Sequence, residues 1–411
     1  MPAELLILGG GFAGLAAAGE LARRRRRGAD ISIRLIDRRS YSLFSPLLPD
    51  LISARIRPQH ACYPLRPHCR SLGVEFTQAE VQRIDPRAGQ VQTDNGSFRG
   101  ESVIVALGCE SNYFGDAEMQ ARSAALKSVD EALVIRSAAG KLCRAARRHS
   151  ARARPAAIVV VGGGYTGFEA ASHLADLARA ATGVPFRRLS DVVRILIVEK
   201  GDEVLRNCSA DIRRWAVRLM GDYGVEIRTG VTVAGFSDGG TAHLSDGTVL
   251  PRAMVVWAAG VAPGAASASL DVPRRQAGRL AVDEHLRLPG CESAFAAGDV
   301  AAPVPPGAAE PLRMSVQFSL AAGRCAAANA AAAVEGRPLR AFRPFDPGYL
   351  LPLAPGQAAG QILAVPLRGK LPYLMHYFMC LARSWGWKNR LGMLADLFLG
   401  VPDQRQKRQQ Q

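Results

Sequence analysis

Two glycine-rich segments with the same spacing are the part of this chain that most clearly implies chemistry. The first reads GGGFAG at 9–14 and follows the apolar run Glu4–Leu8; the second reads GGGYTG at 162–167 and follows Ala157–Val161. Between a strand and a helix, glycines at such spacing let the backbone turn tightly, approach a pyrophosphate and pack helix against strand. The helix N-terminus adds N–H donors and positive potential. The sequence therefore predicts two pyrophosphate sites, at Gly9, Gly11 and Gly14 and at Gly162, Gly164 and Gly167.

An acidic residue ends the next apolar segment after each turn. Asp37 closes ISIRLID, and Glu199 follows ILIV. A carboxylate at this place accepts hydrogen bonds from a ribose diol. The gap before Glu199 is longer than the usual ~20 residues, which a polar insertion around Pro185 explains. Glu199 would repel a 2′-phosphate and so favours NADH over NADPH, although Lys200 and the Arg-rich insertion weaken that preference.

Two dinucleotide sites in one chain imply two dinucleotides whose reactive rings face each other. Hydride would pass from the nicotinamide of NADH to a bound flavin. One copy of the turn would keep FAD, and the other would admit NADH.

The two halves of the chain share one plan of elements. Each half reads as strand, glycine turn, helix and strand, followed by short strands with a hairpin turn, TDNGS in the first half and SDGT in the second. Met119–His149 is mostly helical by pattern, and from about Leu280 the chain returns to the first domain through SAFAAGDVA. We predict an α/β fold with two Rossmann-like domains, each with a β-meander. The ranges are 1–118 and 281–335 for FAD, 119–280 for NADH, and 336–411 for a C-terminal region.

Composition is typical of a globular protein, with 48% hydrophobic and 21% charged residues. No apolar stretch reaches the ~18 residues that span a bilayer, so we expect neither a secreted nor a transmembrane protein. The eight cysteines form no C-x-x-C pair and no metal-type spacing; we expect reduced, mostly buried thiols and no metal site. The net charge of +16 suggests an anionic partner, and without a nucleic-acid motif we do not predict nucleic-acid binding.

The C-terminal segment from Leu371 carries two apolar faces at helical spacing. Trp385 and Trp387 lie between them beside cationic residues, a mixture typical of a lipid headgroup interface. The pattern predicts amphipathic helices that attach to an anionic membrane surface; core packing and a homodimer are the alternatives. The last stretch, DQRQKRQQQ, is predicted to be disordered. The faces comprise Leu371, Leu374, Met375, Phe378 and Ala382, then Leu391, Leu394, Ala395, Phe398 and Leu399.

These features resemble the two-dinucleotide-binding-domain flavoproteins, most closely the type II NADH dehydrogenases, over nearly the whole chain. The matching segments include GGGFAGLAAA, LIDRRSYSLFSPLLP, VVVGGGYTGFEAA, VVWAAGV and FAAGDVA. The resemblance implies a monotopic, non-proton-pumping NADH:quinone oxidoreductase at the cytoplasmic face of the cell membrane. It would transfer hydride from NADH to FAD and two electrons to a membrane quinone.

The resemblance also implies roles for individual residues. Gln317 would lie at the quinone; the family's motif there is Ala-Gln-x-Ala-x-Gln, and Ala321 replaces its second glutamine, which puts the acceptor's identity in doubt. Glu169 would lie near the nicotinamide and orient the ring or relay a proton. The FAD residues would be Gly9, Gly11, Phe12, Ala13, Gly14, Asp37, Arg38, Gly108, Gly298 and Asp299, and the NADH residues Gly162, Gly164, Tyr165, Thr166, Gly167, Glu199, Ala259 and Gly260.

The sequence leaves three other functions open. Related families use a Cys-x4-Cys redox disulfide after the first acidic strand, but DRRSYSLFSPLLP contains no cysteine, which argues against a thiol relay. Cys109, Cys143 and Cys325 keep a sulfide:quinone oxidoreductase in view. A soluble NADH-dependent flavin reductase and a redox-responsive interaction protein similar to apoptosis-inducing factor are the other two.

Overall fold

The computed structural model describes residues 2–149 and 155–401. Its contacts divide the chain into two units, each assembled from three stretches of sequence. The first unit comprises Met1–Ser42, Pro64–Glu110 and Val261–Asp346; the second comprises Leu43–Tyr63, Ser111–Gly260 and Pro347–Gln411. The predicted tail DQRQKRQQQ, from Asp403, lies outside the described residues.

Strands and helices alternate along the chain. The strands are β1 Ala3–Leu8, β2 Ile31–Asp37, β3 Tyr41–Leu43, β4 Cys62–Pro64, β5 Glu75–Gln78, β6 Val81–Asp85, β7 Gln90–Thr93, β8 Gly96–Arg99, β9 Ser102–Val105, β10 Glu110–Ser111, β11 Ser123–Ala125, β12 Ala156–Val161, β13 Val193–Glu199, β14 Val225–Thr229, β15 Val233–Ser237, β16 Thr241–Leu244, β17 Val249–Leu250, β18 Ala253–Trp257, β19 Val261–Ala262, β20 Leu280–Ala281, β21 Ala294–Ala296, β22 Ala301–Ala302, β23 Gly348–Leu353, β24 Gln357–Ile362 and β25 Val365–Gly369. The α-helices are α1 Phe12–Arg26, α2 Leu48–Ile52, α3 Pro58–Ala61, α4 Leu65–Leu72, α5 Ala117–Arg122, α6 Val129–His149, α7 Tyr165–Thr182, α8 Ala210–Asp222, α9 Ala265–Ala268, α10 Val316–Val334, α11 Lys370–Arg383 and α12 Trp387–Leu399.

The first unit is built on a parallel five-stranded sheet in the order β21-β9-β1-β2-β5. Its central strand β1 is apolar on both faces, as expected for a parallel sheet covered on both sides. Leu6 and Leu8 pack toward the meander β6-β7-β8 in one core cluster. α1 packs against α10, where a Cβ at Gly323 would lie 2.1 Å from the Ala13 carbonyl oxygen.

The second unit repeats this topology with the order β11-β18-β12-β13-β14, again parallel. A second meander, β15-β16-β17, shares a core with Val159 and Val161 of β12. Both predicted hairpin turns are confirmed, TDNGS between β7 and β8 and SDGT between β16 and β17. The expected pair of Rossmann-like domains, each with a β-meander, is therefore confirmed.

Met119–His149 is mostly helical, as predicted. It contains the end of α5 and all of α6, and between them lies β11, which pairs with β18 at the edge of the second sheet. Two of the predicted domain ranges differ from the structure. Residues 43–63 belong to the second unit, because α2 packs against α6 and α7 and α3 packs against α12. Residues 261–280 belong to the first unit, where Leu270 and Leu280 enter its core.

The C-terminal stretch of the second unit has more structure than the sequence suggested. An antiparallel sheet, β23-β24-β25, precedes α11 and α12. The two helices coincide with the predicted apolar faces. Among the described residues, we find no helix that combines the length and the hydropathy needed to cross a membrane.

Candidate functional site

The first glycine turn is shaped by backbone contacts that exclude side chains at its outer positions. Gly9 has a φ of +104°, and a Cβ there would lie 2.4 Å from the Ala106 carbonyl oxygen. A Cβ at Gly14 would lie 1.8 Å from the Gly9 carbonyl oxygen. Gly11 differs from both, since a Cβ at Gly11 meets no protein atom within 4 Å and its φ of −77° suits any residue. The open space at Gly11 fits a phosphate that approaches the start of α1.

The carboxylate of Asp37 is tied to this turn by two backbone amides. Gly10 N–H donates to Oδ2 at 2.6 Å, and Arg39 N–H donates to Oδ1 at 2.7 Å. Burial raises the pKa of Asp37, and these two hydrogen bonds act in the opposite direction. The acid is thus oriented at the end of β2, where a ribose diol would be held.

The second turn repeats the first almost contact for contact. Gly162 has a φ of +112°, with a Cβ position 2.5 Å from the Ala258 carbonyl oxygen, and a Cβ at Gly167 would lie 1.9 Å from the Gly162 carbonyl oxygen. Gly164, with a φ of −83°, has open space where its Cβ would be. Glu199 Oε2 accepts from Gly163 N–H at 2.7 Å, and Oε1 accepts from Gly201 N–H at 2.8 Å. Each unit therefore holds one complete turn with its acid.

Residues from distant parts of the sequence join the first turn within the first unit. Gly298, with a φ of +80°, places its Cβ position 3.0 Å from the Ala13 side chain. Asp299 follows it; its Oδ1 accepts from Ser319 Oγ at 3.4 Å, and its carbonyl oxygen accepts from Cys109 Sγ at 3.3 Å. The structure thus brings Ala13 and Asp299 to one place, as a shared flavin site requires.

Arg279 is a neighbour of Asp299 that sequence reasoning missed. The arginine is only 3% exposed, and its guanidinium donates to the carbonyl oxygens of Ala301 and Leu312 at 3.2 and 3.1 Å. Burial lowers its pKa. It lines a pocket with Gly298 and Asp299. No short sequence motif identifies Arg279 as a buried residue, because it is buried only when residues 312–319 fold next to it.

The remaining predicted FAD residues lie in the first unit. Arg38 is half-exposed and pairs with Glu110 at 2.9 Å and Glu80 at 3.3 Å. Gly108 has a φ of +72° with open space at its Cβ position. Phe12 and Ala13 begin α1.

Around the second turn, the other predicted NADH residues lie in two places, at the start of α7 and just after β18. Tyr165 and Thr166 begin α7, and Tyr165 Oη accepts from Cys208 Sγ at 3.3 Å. Ala259 and Gly260 follow β18; Gly260 has a φ of +158°, and its carbonyl oxygen accepts from Asn112 N–H at 3.1 Å.

Glu169 lies one turn into α7 and is half-buried. Burial, reinforced by the negative charge of Asp50, raises its pKa to about 8. A carboxyl group with this pKa is mostly protonated at neutral pH and is suited to donate a proton.

Gln317 begins α10 in the first unit. Its Nε2 lies 3.4 Å from Asp346 Oδ1, and Asp346 forms a bidentate ion pair with Arg313. The amide of Gln317 is therefore held by a charged pair that the sequence did not suggest. Ala321 lies one turn further along the same helix.

A family model described as pyridine nucleotide-disulphide oxidoreductase matches residues 3–331. The chain belongs to this family. Within it, the type II NADH:quinone oxidoreductase Ndh of Mycobacterium tuberculosis is 31% identical over 95% of this chain and 86% of its own length. The likeness to this relative places the chain in the type II NADH:quinone oxidoreductase family, as the sequence motifs predicted.

Two solved structures share the fold of this pyridine nucleotide-disulphide oxidoreductase. NDH2 from Plasmodium falciparum in complex with NADH superposes with a TM-score of 0.83 at 16% identity, over 98% of this chain and 99% of that one. The sulfide:quinone oxidoreductase of Aquifex aeolicus gives a TM-score of 0.75 at 18% identity, over 97% and 96%. Because both enzymes match, the fold by itself does not separate NADH from sulfide as the reductant.

The family description names a disulphide, yet all eight cysteines of this member are free thiols. Five of them are buried, as expected, and Cys62, Cys109 and Cys325 are partly exposed. Within the described part of the chain, no three His, Cys, Asp or Glu side chains are grouped so as to hold a metal ion.

Proposed function

We propose that this chain is an FAD-dependent NADH:quinone oxidoreductase. The observation that carries the proposal is the duplicated turn, in which a carboxylate is hydrogen-bonded to the second glycine of each copy, at Gly10 and at Gly163. Two turns of this kind, each with its carboxylate, are suited to bind two adenine dinucleotides. The Mycobacterium tuberculosis relative, whose name states this activity, is similar over nearly all of the chain.

When bound, FAD would supply the redox chemistry, since a flavin can take up a hydride and give up two electrons. In the first unit, the residues that would hold FAD are Gly9, Gly11, Gly14, Asp37 and Asp299, together with Phe12, Ala13, Arg38, Gly108 and Gly298. The second unit binds NADH through Gly162, Gly164, Gly167 and Glu199, with Tyr165, Thr166, Ala259 and Gly260 around it. The negative charge of Glu199 favours NADH over NADPH.

Glu169 and Gln317 are the proposed catalytic residues. Glu169 holds a proton at neutral pH because its pKa is raised to about 8. Gln317 donates a hydrogen bond to a quinone carbonyl, oriented by the pair Arg313 and Asp346. Because Ala321 stands in place of a second glutamine, one fewer side chain can donate a hydrogen bond to the quinone.

The C-terminal helices are proposed to attach the enzyme to the cytoplasmic face of the cell membrane. α11 and α12 expose a row of large apolar side chains, and the net charge of +16 favours anionic lipids. A membrane-dissolved quinone would be taken up from this surface. A homodimer that covers the same row is the competing arrangement.

The deciding experiment is anaerobic mixing of the purified flavoprotein with NADH, followed by a short-chain quinone. We expect NADH to bleach the flavin absorbance. Quinone should then restore the absorbance at a rate no slower than steady-state turnover. Bleaching by sulfide and not by NADH would instead indicate a sulfide:quinone oxidoreductase. Bleaching by NADH with slow recovery and a change in oligomeric state would indicate a redox-responsive interaction protein.

A further inference from the structure

A buried polar cluster in the second unit is not used by either glycine turn. Asp50 of α2, His173 of α7 and Tyr377 of α11 are 1%, 2% and 4% exposed. Ionisable groups are rarely buried this deeply unless they are paired or functional. Three helices that come from distant parts of the sequence therefore converge on one acidic side chain.

The cluster is organised around the carboxylate of Asp50. Tyr377 Oη donates a hydrogen bond to Asp50 Oδ1 at 2.5 Å. His173 Nε2 lies 3.9 Å from the same oxygen, and the Nδ1 of this ring lies 2.7 Å from Ser53 Oγ. The 3.9 Å gap is longer than a hydrogen bond, and one bridging water or a small ring movement would close it.

The cluster continues along α7 toward the surface. Glu169, His173 and Asp176 are spaced at i, i+4 and i+7, which places them along one face of the helix. Asp176 lies 4.0 Å from Arg55, whose side chain is 26% exposed. Polar groups thus lead from half-buried Glu169, through the buried cluster, to a residue in contact with solvent.

The reaction of the proposed function needs one proton from water in each turnover. NADH gives up a hydride, which carries two electrons and one proton, whereas a quinone takes up two electrons and two protons when it becomes a quinol. The second proton must come from an acid that is refilled from solvent. Glu169 is the acid of the proposed function, and this step of the inference rests on that proposal.

We propose that Asp50, together with Tyr377 and His173, is a positioning group that keeps Glu169 protonated and refills it with protons from the Arg55 and Asp176 side. In each cycle, the O–H bond of the Glu169 carboxyl breaks as its proton bonds to the reduced quinone oxygen. A proton from solvent then restores the Glu169 carboxyl through the cluster, so charge and atoms balance.

The electrostatics of the cluster agree with this role. Burial raises the pKa of Asp50 to about 6, so Asp50 is mostly ionised at pH 7 and its charge disfavours ionisation of Glu169. Burial lowers the pKa of His173 to about 3, so a neutral imidazole lies beside Asp50. Tyr377 and Arg55 act against burial and lower the pKa of Asp50. Together with burial, the charge of Asp50 in turn raises the pKa of Tyr373 and of Cys380 on α11, and His376 on the same helix also lowers the pKa of His173.

The test compares the two half-reactions of the flavin-loaded protein across pH 6 to 9.5, roughly the range that brackets the Glu169 pKa. Asp50→Asn removes the charge with little change in volume, and Tyr377→Phe removes only the hydroxyl that donates to Asp50. Asp211→Asn, an exposed carboxylate on α8, is the matched control. Flavin bleaching by NADH and flavin recovery with a short-chain quinone are recorded separately, with thermal melting as a check on folding.

We expect NADH bleaching to be unchanged in all three variants. In the wild type, recovery with quinone should slow as pH rises past about 8, when Glu169 loses its proton. In Asp50→Asn this decline should move to lower pH, because the neighbouring charge that raises the Glu169 pKa is gone, and recovery at pH 8.5 should be slower by roughly three- to tenfold. Tyr377→Phe should shift the decline in the same direction by less, and Asp211→Asn should not shift it.

An unchanged pH profile in Asp50→Asn and Tyr377→Phe, with full flavin content, would overturn the relay and leave the proposed function standing. If Asp50→Asn does not fold, Tyr377→Phe decides the question by the same measurement. A wild type that NADH bleaches but quinone does not restore would overturn the proposed function, and the relay with it.

Discussion

At the scale of single residues, the two units contain the same arrangement of a glycine turn and a carboxylate. Asp37 and Glu199 each accept a hydrogen bond from the second glycine of a turn and another from the amide two residues further along the chain. The carboxylates are therefore oriented before a cofactor arrives, which reduces the entropy lost on binding. The duplicated geometry allows matched substitutions that separate the two sites.

Exchanging each acid for serine should affect a different cofactor. Glu199→Ser should raise the KM for NADH about tenfold or more, since it removes a charge-assisted hydrogen bond to the ribose, and should narrow the preference over NADPH. Flavin content, measured as the ratio of absorbance at the flavin and protein bands, should not change. Asp37→Ser should lose flavin instead. The reverse outcome would mean that the two sites are assigned the wrong way round.

The glycines of the second turn provide a second matched pair. Gly164→Ala introduces no clash and no backbone strain in the protein itself, so its melting temperature should stay at the wild-type value while NADH binds more weakly. Gly167→Ala places a Cβ 1.9 Å from the Gly162 carbonyl oxygen and should lower the free energy of unfolding by about 2 kcal/mol or more. Thermal melting and NADH titration check both effects. Normal NADH affinity in Gly164→Ala would argue against a pyrophosphate at this turn.

At the scale of elements, α11 differs from an ordinary surface helix because it buries polar side chains and exposes apolar ones. Its polar and aromatic residues Tyr373, His376 and Tyr377 are buried, while Leu371, Leu374 and Phe378 are 62%, 62% and 72% exposed. α12 continues the apolar row with Phe398 and Leu399, and its Asp396 is buried against Arg57 and His60. A row of exposed apolar side chains of this kind marks a surface that contacts a membrane or another protein, which is the basis of the membrane proposal.

A charged residue in this apolar row should release the enzyme from membranes. Phe378→Glu should weaken co-sedimentation with vesicles by roughly thirtyfold or more, because it removes about 2 kcal/mol of aromatic burial and adds the desolvation of a carboxylate. Val249→Glu, at a half-exposed site on β17, is the control and should bind as the wild type does. Activity with a short-chain quinone should stay unchanged in both. Equal binding by all three proteins would contradict attachment through α11.

At the scale of the whole molecule, the net charge of +16 adds a long-range attraction to the apolar row. Charge attraction weakens with salt, while apolar burial does not. The two contributions can therefore be separated in one titration.

Binding of the wild type to vesicles with anionic lipids should fall steeply between low and high salt. Binding to neutral vesicles should be weaker and nearly independent of salt. Co-sedimentation at a series of salt concentrations measures both, and gel filtration without lipid tests the homodimer. A dimer that persists without lipid and does not bind vesicles would show that a second copy, and no membrane, covers the row.

The sequence alone determined the glycine turns, their acids, the hairpins and the doubled plan of strands and helices, because these depend on patterns within about 40 residues. The sequence also marked Glu169 and the apolar spacing of the last two helices. Only the tertiary structure decided that Arg279 lies beside Asp299, that β11 joins the second sheet, and that Asp50, His173 and Tyr377 meet. The reason is physical: periodicity shows that a helix has two faces, but which face is buried depends on partners that arrive from elsewhere in the chain.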